Sequence, residues 1–372
     1  MQTRRSLLSG RHACRILLIV CGLWGGGAQA QNPSPAESCR TDLEALPGFL
    51  LENDAGAREH VARRGQAVFD AALAKARVDV AGIDSDADCV KLLRGYLRSY
   101  RHGHLGVSAI APSLTVPAAA TPDASLPSFR VLSAKTALLV LPSFADHYAE
   151  PIGALLRRHA REIAARPNLI VDVRRNGGGS DTTYEPVMAL IDANLRRDVG
   201  AEFLSTPANI EASQAVCEQM QPPSQACRDF MRPVLEAMRA APVGSFVLPT
   251  GIEPVATVRP RQIARQPQRV AVVIDRGCGS SCEEFVLAAR QSFKVKLFGR
   301  PTYGSLDYSN MRPHTLPSGL RRLHYATSRS LRLPAYAIDA GGIAPDHFML
   351  KPAEGQADEE LRYVQQVLES TR

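Results

Sequence analysis

Residues 275–285 read DRGCGSSCEEF, two cysteines bracketing a glycine and two serines before acidic and apolar residues begin. The run VAVVID ahead of it reads as a buried strand ending at Asp275, and SCEEFVLAARQS reads as a helix. GCG is then a tight turn that delivers Ser280 and Ser281 to the first turn of that helix, where unpaired N–H groups point outward. Serine is a good helix cap, so capping alone accounts for one of them. Two in succession let one cap while the other offers a hydroxyl for chemistry. A disulfide from Cys278 to Cys282 would hold that hydroxyl still.

A hydroxyl is a poor nucleophile until a base takes its proton. Beyond residue 30 the histidines are His60, His102, His104, His147, His159, His314, His324 and His347. His60 and His159 lie on helical stretches among charged residues and read as solvated. His102 and His104, in YRHGHLGV, fall where a helix gives way through Gly103 to an extended segment, a place from which a side chain can enter a cleft. Residue types alone leave the choice of base open. The loop RRNGGGSD follows a strand and opens a helix, yet it has neither the lysine of a phosphate loop nor the spacing of a dinucleotide fingerprint. Its backbone N–H groups are instead suited to holding an oxyanion, a task that needs glycine so that the backbone can come close to the reacting atom.

The elements that must position these groups follow from hydrophobic periodicity. From Leu43 to Val107, stretches such as DADCVKLLRGYLRSY have helical spacing and predict an N-terminal helical domain over 31–107. APSLTVPAAATPDASLPS reads as an exposed linker, giving a boundary segment over 108–128. ALLVLPSF, PIGALLRRHAREIAAR and NLIVDVR predict strand, helix and strand in a right-handed βαβ crossover at the start of an α/β core over 129–372. Residues 198–249 hold a cysteine pair and helical pieces, and read as a small helical cap inserted into that core. KVKLFG is a further strand, and ADEELRYVQQVLES a last helix.

The chain has 372 residues, 45% of them hydrophobic, enough for a large core. Its first thirty residues combine four arginines with ILLIVCGLW and a small-residue stretch ending at Ala30, the pattern of a cleaved signal peptide over 1–30; the apolar run is too short to span a membrane. Removing them lowers the formal charge from +7 to +3, which with no basic block elsewhere argues against a nucleic-acid partner. Six cysteines remain. In an exported chain, periplasmic or secreted, an even set suggests three disulfides, and nearness in sequence favours Cys217–Cys227 and Cys278–Cys282, leaving Cys39 with Cys89. No CxxC or paired-histidine spacing supports zinc.

LIVDVRRNGGGS, VAVVIDRGCGSSCEEFVLAARQS, LFGRPTYGS and GGIAPD resemble, in order, successive motifs of the C-terminal-processing (tail-specific) serine peptidases and the related tricorn protease core. LLRGYLRSYRHGHLGV resembles the segment that carries a histidine motif in the same family. The resemblance implies a crotonase/ClpP-like α/β core with a helical N-terminal domain. It makes Ser280 the nucleophile, three residues before Glu283, and draws the oxyanion hole from the N–H groups of Ser281 and of Gly177 or Gly178. Neither a metal nor an organic cofactor is implied, and the substrate is a peptide or protein.

Two departures shape the expected mechanism. Where the bacterial processing enzymes carry a lysine base, TYGSL places Ser305, which cannot do that work. The tricorn branch uses a histidine at the position of His104, and an imidazole accepts a serine proton without unusual tuning. Asp339, in AIDAGGIAPD, matches the orienting acid of that branch, and reads equally as a turn residue before Gly341 and Gly342. The other departure is that no PDZ domain fits between His104 and Phe129. An exported serine peptidase is therefore expected; a serine esterase, or a non-catalytic relative that binds peptide or lipid, is the alternative.

Overall fold

The computed structural model describes residues 33–110, 126–218, 225–260, 263–353 and 357–370. The expected signal peptide and residues 111–125 of the expected linker lie outside them. Six strands form the central sheet, in the order His347–Phe348, Val295–Gly299, Arg269–Ile274, Asn168–Asp172, Thr136–Val140 and Ser128–Val131. All run parallel except Ser128–Val131. Helices cover both faces, which is why NLIVD is buried at every residue and RVAVVI at all but its first. Leu139, Val171 and Val272 face the helices Ala149–Arg158, Asp181–Ile191 and Ser281–Ala289 through Ile152, Tyr184 and Phe285. Leu138, Ile170 and Val273 alternate with them and meet Leu361, Val364 and Leu368 of the last helix, Ala357–Ser370.

Asn168–Asp172 and Arg269–Ile274 are neighbours in parallel register, Val171 opposite Val272. Their carboxyl ends therefore lie side by side. The NGGG loop leaves one and the CGSSC turn leaves the other, so two segments about a hundred residues apart meet at the edge of the sheet where open α/β folds place ligands.

A second sheet receives the early helices. Its strands run Gly106–Ala109, Arg321–Ser330, Ala201–Leu204 and Phe246–Val247, and Tyr308–Thr315 pairs with Arg321–Ser330 in an antiparallel hairpin. Pro35–Asn53, Gln66–Asp79 and Asp86–Tyr100 pack onto it, with Leu43, Phe69 and Leu97 sharing one core with Val107, Leu323 and Tyr325. His60 is not solvated as its charged neighbours suggest. Its ring sits 5.6 Å from that of Tyr308, and burial pushes its pKa down to about 4.

The segment expected as a helical cap holds two helices, Pro207–Ala215 and Gln225–Ala240, closed over Phe203, Met231 and Met238. It also supplies the two short strands Ala201–Leu204 and Phe246–Val247, the first of which pairs Phe203 with Ser328. A four-residue AEFL carries too little alternation to be read as a strand in advance. Disulfides join Cys39 to Cys89, Cys217 to Cys227 and Cys278 to Cys282. Among the described residues no helix is long and apolar enough to cross a membrane.

Candidate active site

Ser280 stands at the N-terminus of Ser281–Ala289 with φ 57° and ψ −128°. A side chain rarely occupies that region, and holding one there costs about 1–3 kcal/mol, so the surroundings must over-determine it. They do so through Glu283. Its carboxylate, wholly buried, accepts the N–H groups of Gly304 and Ser305 at 2.8 Å each and the Thr302 hydroxyl at 2.5 Å. The Ser280 N–H donates to the same carboxylate and to the Ser305 hydroxyl, both at 3.2 Å. Tyr303 N–H donates to the Cys278 carbonyl at 2.8 Å, and the Cys278–Cys282 bridge spans the turn. Ser305, at the position of the family's lysine, thus helps to hold the turn.

The glycine loop is locked against this turn by Asn176, a buried residue. Its side-chain amide donates to the Leu141 carbonyl at 2.9 Å, its side-chain oxygen accepts the Gly178 N–H at 2.9 Å, and its own carbonyl accepts the Gly279 N–H at 3.1 Å. A Cβ on Gly178, where φ is +95°, would lie 2.6 Å from the Gly279 oxygen and 2.7 Å from the Ser280 Cβ. Only glycine lets the two turns touch. The two candidate glycine donors differ as a result, because the Gly178 N–H is committed to Asn176 while Gly177 lines the cleft. Ser281 turns its hydroxyl away, donating to the Gly179 carbonyl at 2.9 Å. Its N–H belongs to the first turn of the helix, where N–H groups have no intrahelical partner.

His104 is placed by a buried ion pair. Arg101 and Asp54 meet at 2.6 Å with side chains 1% and 0% exposed, and Arg101 also donates to the carbonyls of His102 at 3.1 Å and His104 at 2.8 Å. Gly103, between them, has φ +83°, and a Cβ there would approach the Asp339 Oδ2 to 3.0 Å and the Ser305 Cα to 3.2 Å. The ring Nδ1 lies 2.7 Å from the Tyr308 carbonyl oxygen. A carbonyl only accepts, so Nδ1 carries the proton and Nε2 keeps its lone pair. Burial pushes the imidazole pKa below its ordinary value, with a smaller push from Arg101, against the pull of the Tyr308 hydrogen bond. The ring is neutral near pH 7.

Ser280, His104, Gly177 and Ser305 line one cavity of about 570 Å³. Gly178 and Ser281 adjoin it through their chain neighbours Gly177 and Ser280 and are not among its lining residues. Asp339 lies behind Gly103, outside the lining. Its Oδ1 accepts the N–H groups of Leu306 at 2.6 Å and Asp307 at 2.8 Å, while its buried Oδ2 has no hydrogen-bond partner; burial pushes its pKa up to about 7. The contact that fixes the imidazole tautomer therefore comes from Tyr308, and Asp339 braces the segment that presents that carbonyl. Sequence reasoning missed Arg101, Asn176 and Tyr308 in these parts. Asn176, immediately before three glycines, carried the one readable signal.

Peptidase family S41, as a sequence profile, matches residues 135–348, a span that includes both turns and begins beyond His104. The structure is similar to that of a putative peptidase from Parabacteroides merdae, at 16% identity and a TM-score of 0.54, over 91% of this chain and 97% of that one. It is also similar to mature CPAF, at 11% identity and a TM-score of 0.59, over 89% of this chain and 96% of that one. These likenesses are of fold. No curated protein matches in sequence.

Proposed function

The chain belongs to peptidase family S41 and is a serine peptidase; from that premise we propose that it is exported and cuts peptide bonds with Ser280 as nucleophile and His104 as general base. In this reading residues 1–30 are removed on export to the periplasm or beyond, in keeping with the leader's arginine–apolar–small pattern and with three disulfides. Residues 31–107 form a helical domain that carries His104 to a crotonase/ClpP-like core over 129–372, with 198–249 as the cap.

The Ser280 Oγ attacks the scissile carbonyl carbon while its proton passes to the His104 Nε2. Negative charge develops on the carbonyl oxygen, toward which the N–H groups of Gly177 and Ser281 are the free donors. Collapse breaks the C–N bond, and the imidazolium returns the proton to the departing amine. Water, activated by the same imidazole, then releases the acyl group from Ser280. Asp339 acts in this scheme as a positioning residue, bracing Leu306 and Asp307 so that the Tyr308 carbonyl keeps the imidazole in its base-competent tautomer.

One observation carries the reading. A neutral imidazole with its Nδ1 proton spoken for shares a cleft with a serine held in a strained, half-buried turn. Casein and short-chain esters, offered to the purified chain and to Ser280→Ala, test it. Casein cleavage that disappears in Ser280→Ala is the expected result. Ester turnover without casein cleavage would point to an esterase, and no turnover of either by folded protein to a binding protein.

A further inference from the structure

The cleft's charges are distributed unevenly. Arg94 and Arg276 both line it, along with His324, and among the described residues no aspartate or glutamate does. Arg94, Arg276 and Arg322 are exposed and make no ion pair with a described residue. Carboxylates of the surrounding turns face the frame: Asp275 accepts the N–H groups of Arg175 at 2.9 Å and Gly277 at 2.8 Å, and Glu283 is buried. Cations are left outward and anions inward, which gives the cleft a positive field. His324 registers it, its pKa lowered by burial and then by Arg322 and Arg94.

Arg94 is also held in place. Its Nε donates to the Val107 carbonyl at 2.8 Å, leaving the outer edge of the guanidinium free for a two-pronged contact. Val107 belongs to Gly106–Ala109, which among the described strands pairs with Arg321–Ser330 alone and whose Gly106, Val107 and Ser108 line the cleft. A peptide bound in the cleft beside that strand meets Arg94 and also Arg276, four residues before Ser280, since both line the same cavity.

Resting on the peptidase reading above, we propose that the cleft selects peptides bearing a carboxylate close to the scissile bond, bound by Arg276 and Arg94. The carboxylate is that of an acidic side chain of the substrate.

Short internally quenched peptides of Ala, Leu, Ser and Gly, amidated at the C-terminus and with a single Glu or Gln walked through successive positions, test this. For the parent chain, kcat/KM with the best-placed carboxylate exceeds that of its neutral partner by about tenfold. That ratio falls toward one in Arg276→Gln and in Arg94→Gln, and shrinks for the parent at high salt because the site is open to solvent. In Arg276→Glu the preference turns toward a Lys-containing peptide. Equal cleavage of charged and neutral peptides by the parent overturns the inference and leaves the peptidase reading intact. Fluorescence anisotropy with Ser280→Ala and the same peptides separates the two ideas in the other direction. Tighter binding of the carboxylate peptides there supports the inference even where turnover is absent, and equal binding overturns it.

Discussion

The Nδ1 of His104 and the carbonyl oxygen of Tyr308 lie 2.7 Å apart, a contact between residues 204 positions distant in the chain. A neutral carbonyl fixes the tautomer without adding negative charge beside the ring. The imidazole is therefore spared the upward pKa shift that a carboxylate partner brings, and burial pushes it down.

That sign governs the pH profile. The unprotonated ring is the working base, and its lowered pKa keeps it unprotonated as pH falls. The acid limb of kcat/KM for peptide cleavage is expected to have its midpoint below the ordinary histidine value of about 6.5. A midpoint above that value would show an imidazole stabilised in its charged form, contrary to this environment.

Asp339 gives a second pH signature, read in stability. Its folded pKa of about 7 exceeds the ordinary aspartate value of 3.8, so between those limits the folded chain holds a proton that the unfolded chain has released. Stability contributed by that proton is present at low pH and lost as pH rises through about 7. Asp339→Asn keeps an oxygen for Leu306 and Asp307 and removes the titration. The parent's melting temperature, relative to that of the variant, should decline from mildly acidic to mildly basic pH; a constant difference would contradict the assignment.

Asp54 is distant in sequence from the cleft and is nevertheless expected to matter to it. Asp54→Ala leaves the Arg101 guanidinium buried and unpaired, a loss of about 3–5 kcal/mol in urea unfolding. Because Arg101 also holds the His104 carbonyl, kcat should fall in the molecules that remain folded.

Glu283 holds the serine turn through a carboxylate with both oxygens engaged. Glu283→Gln replaces one acceptor with a donor facing other donors, and each N–H so orphaned costs about 1–3 kcal/mol. Thermal unfolding should show the destabilisation. Fluorophosphonate labelling should slow markedly, since the strained Ser280 backbone loses its main support; labelling at the parent rate would mean that the turn is held by the disulfide alone.

Sequence legibility followed how each feature is encoded. NLIVD and RVAVVI are strands buried on both faces and read as unbroken apolar runs. Cysteines four and ten residues apart could be paired by nearness. The tie between His104 and Tyr308 depends on a main-chain carbonyl, which every residue possesses, so no residue type announces it. Arg101 is by residue type one more charge at the end of a helical run, and only its burial against Asp54 reveals its part. The strands of the cap are four and two residues long and are defined by partners at Ser328 and Phe203, not by their own pattern.

The most direct test is covalent labelling by a fluorophosphonate, with the modified residue located by peptide mass mapping. The account predicts one adduct, on Ser280, formed about 100-fold or more slowly in folded His104→Gln than in the parent. An unlabelled parent, an adduct on another serine, or a rate untouched by His104→Gln would contradict it.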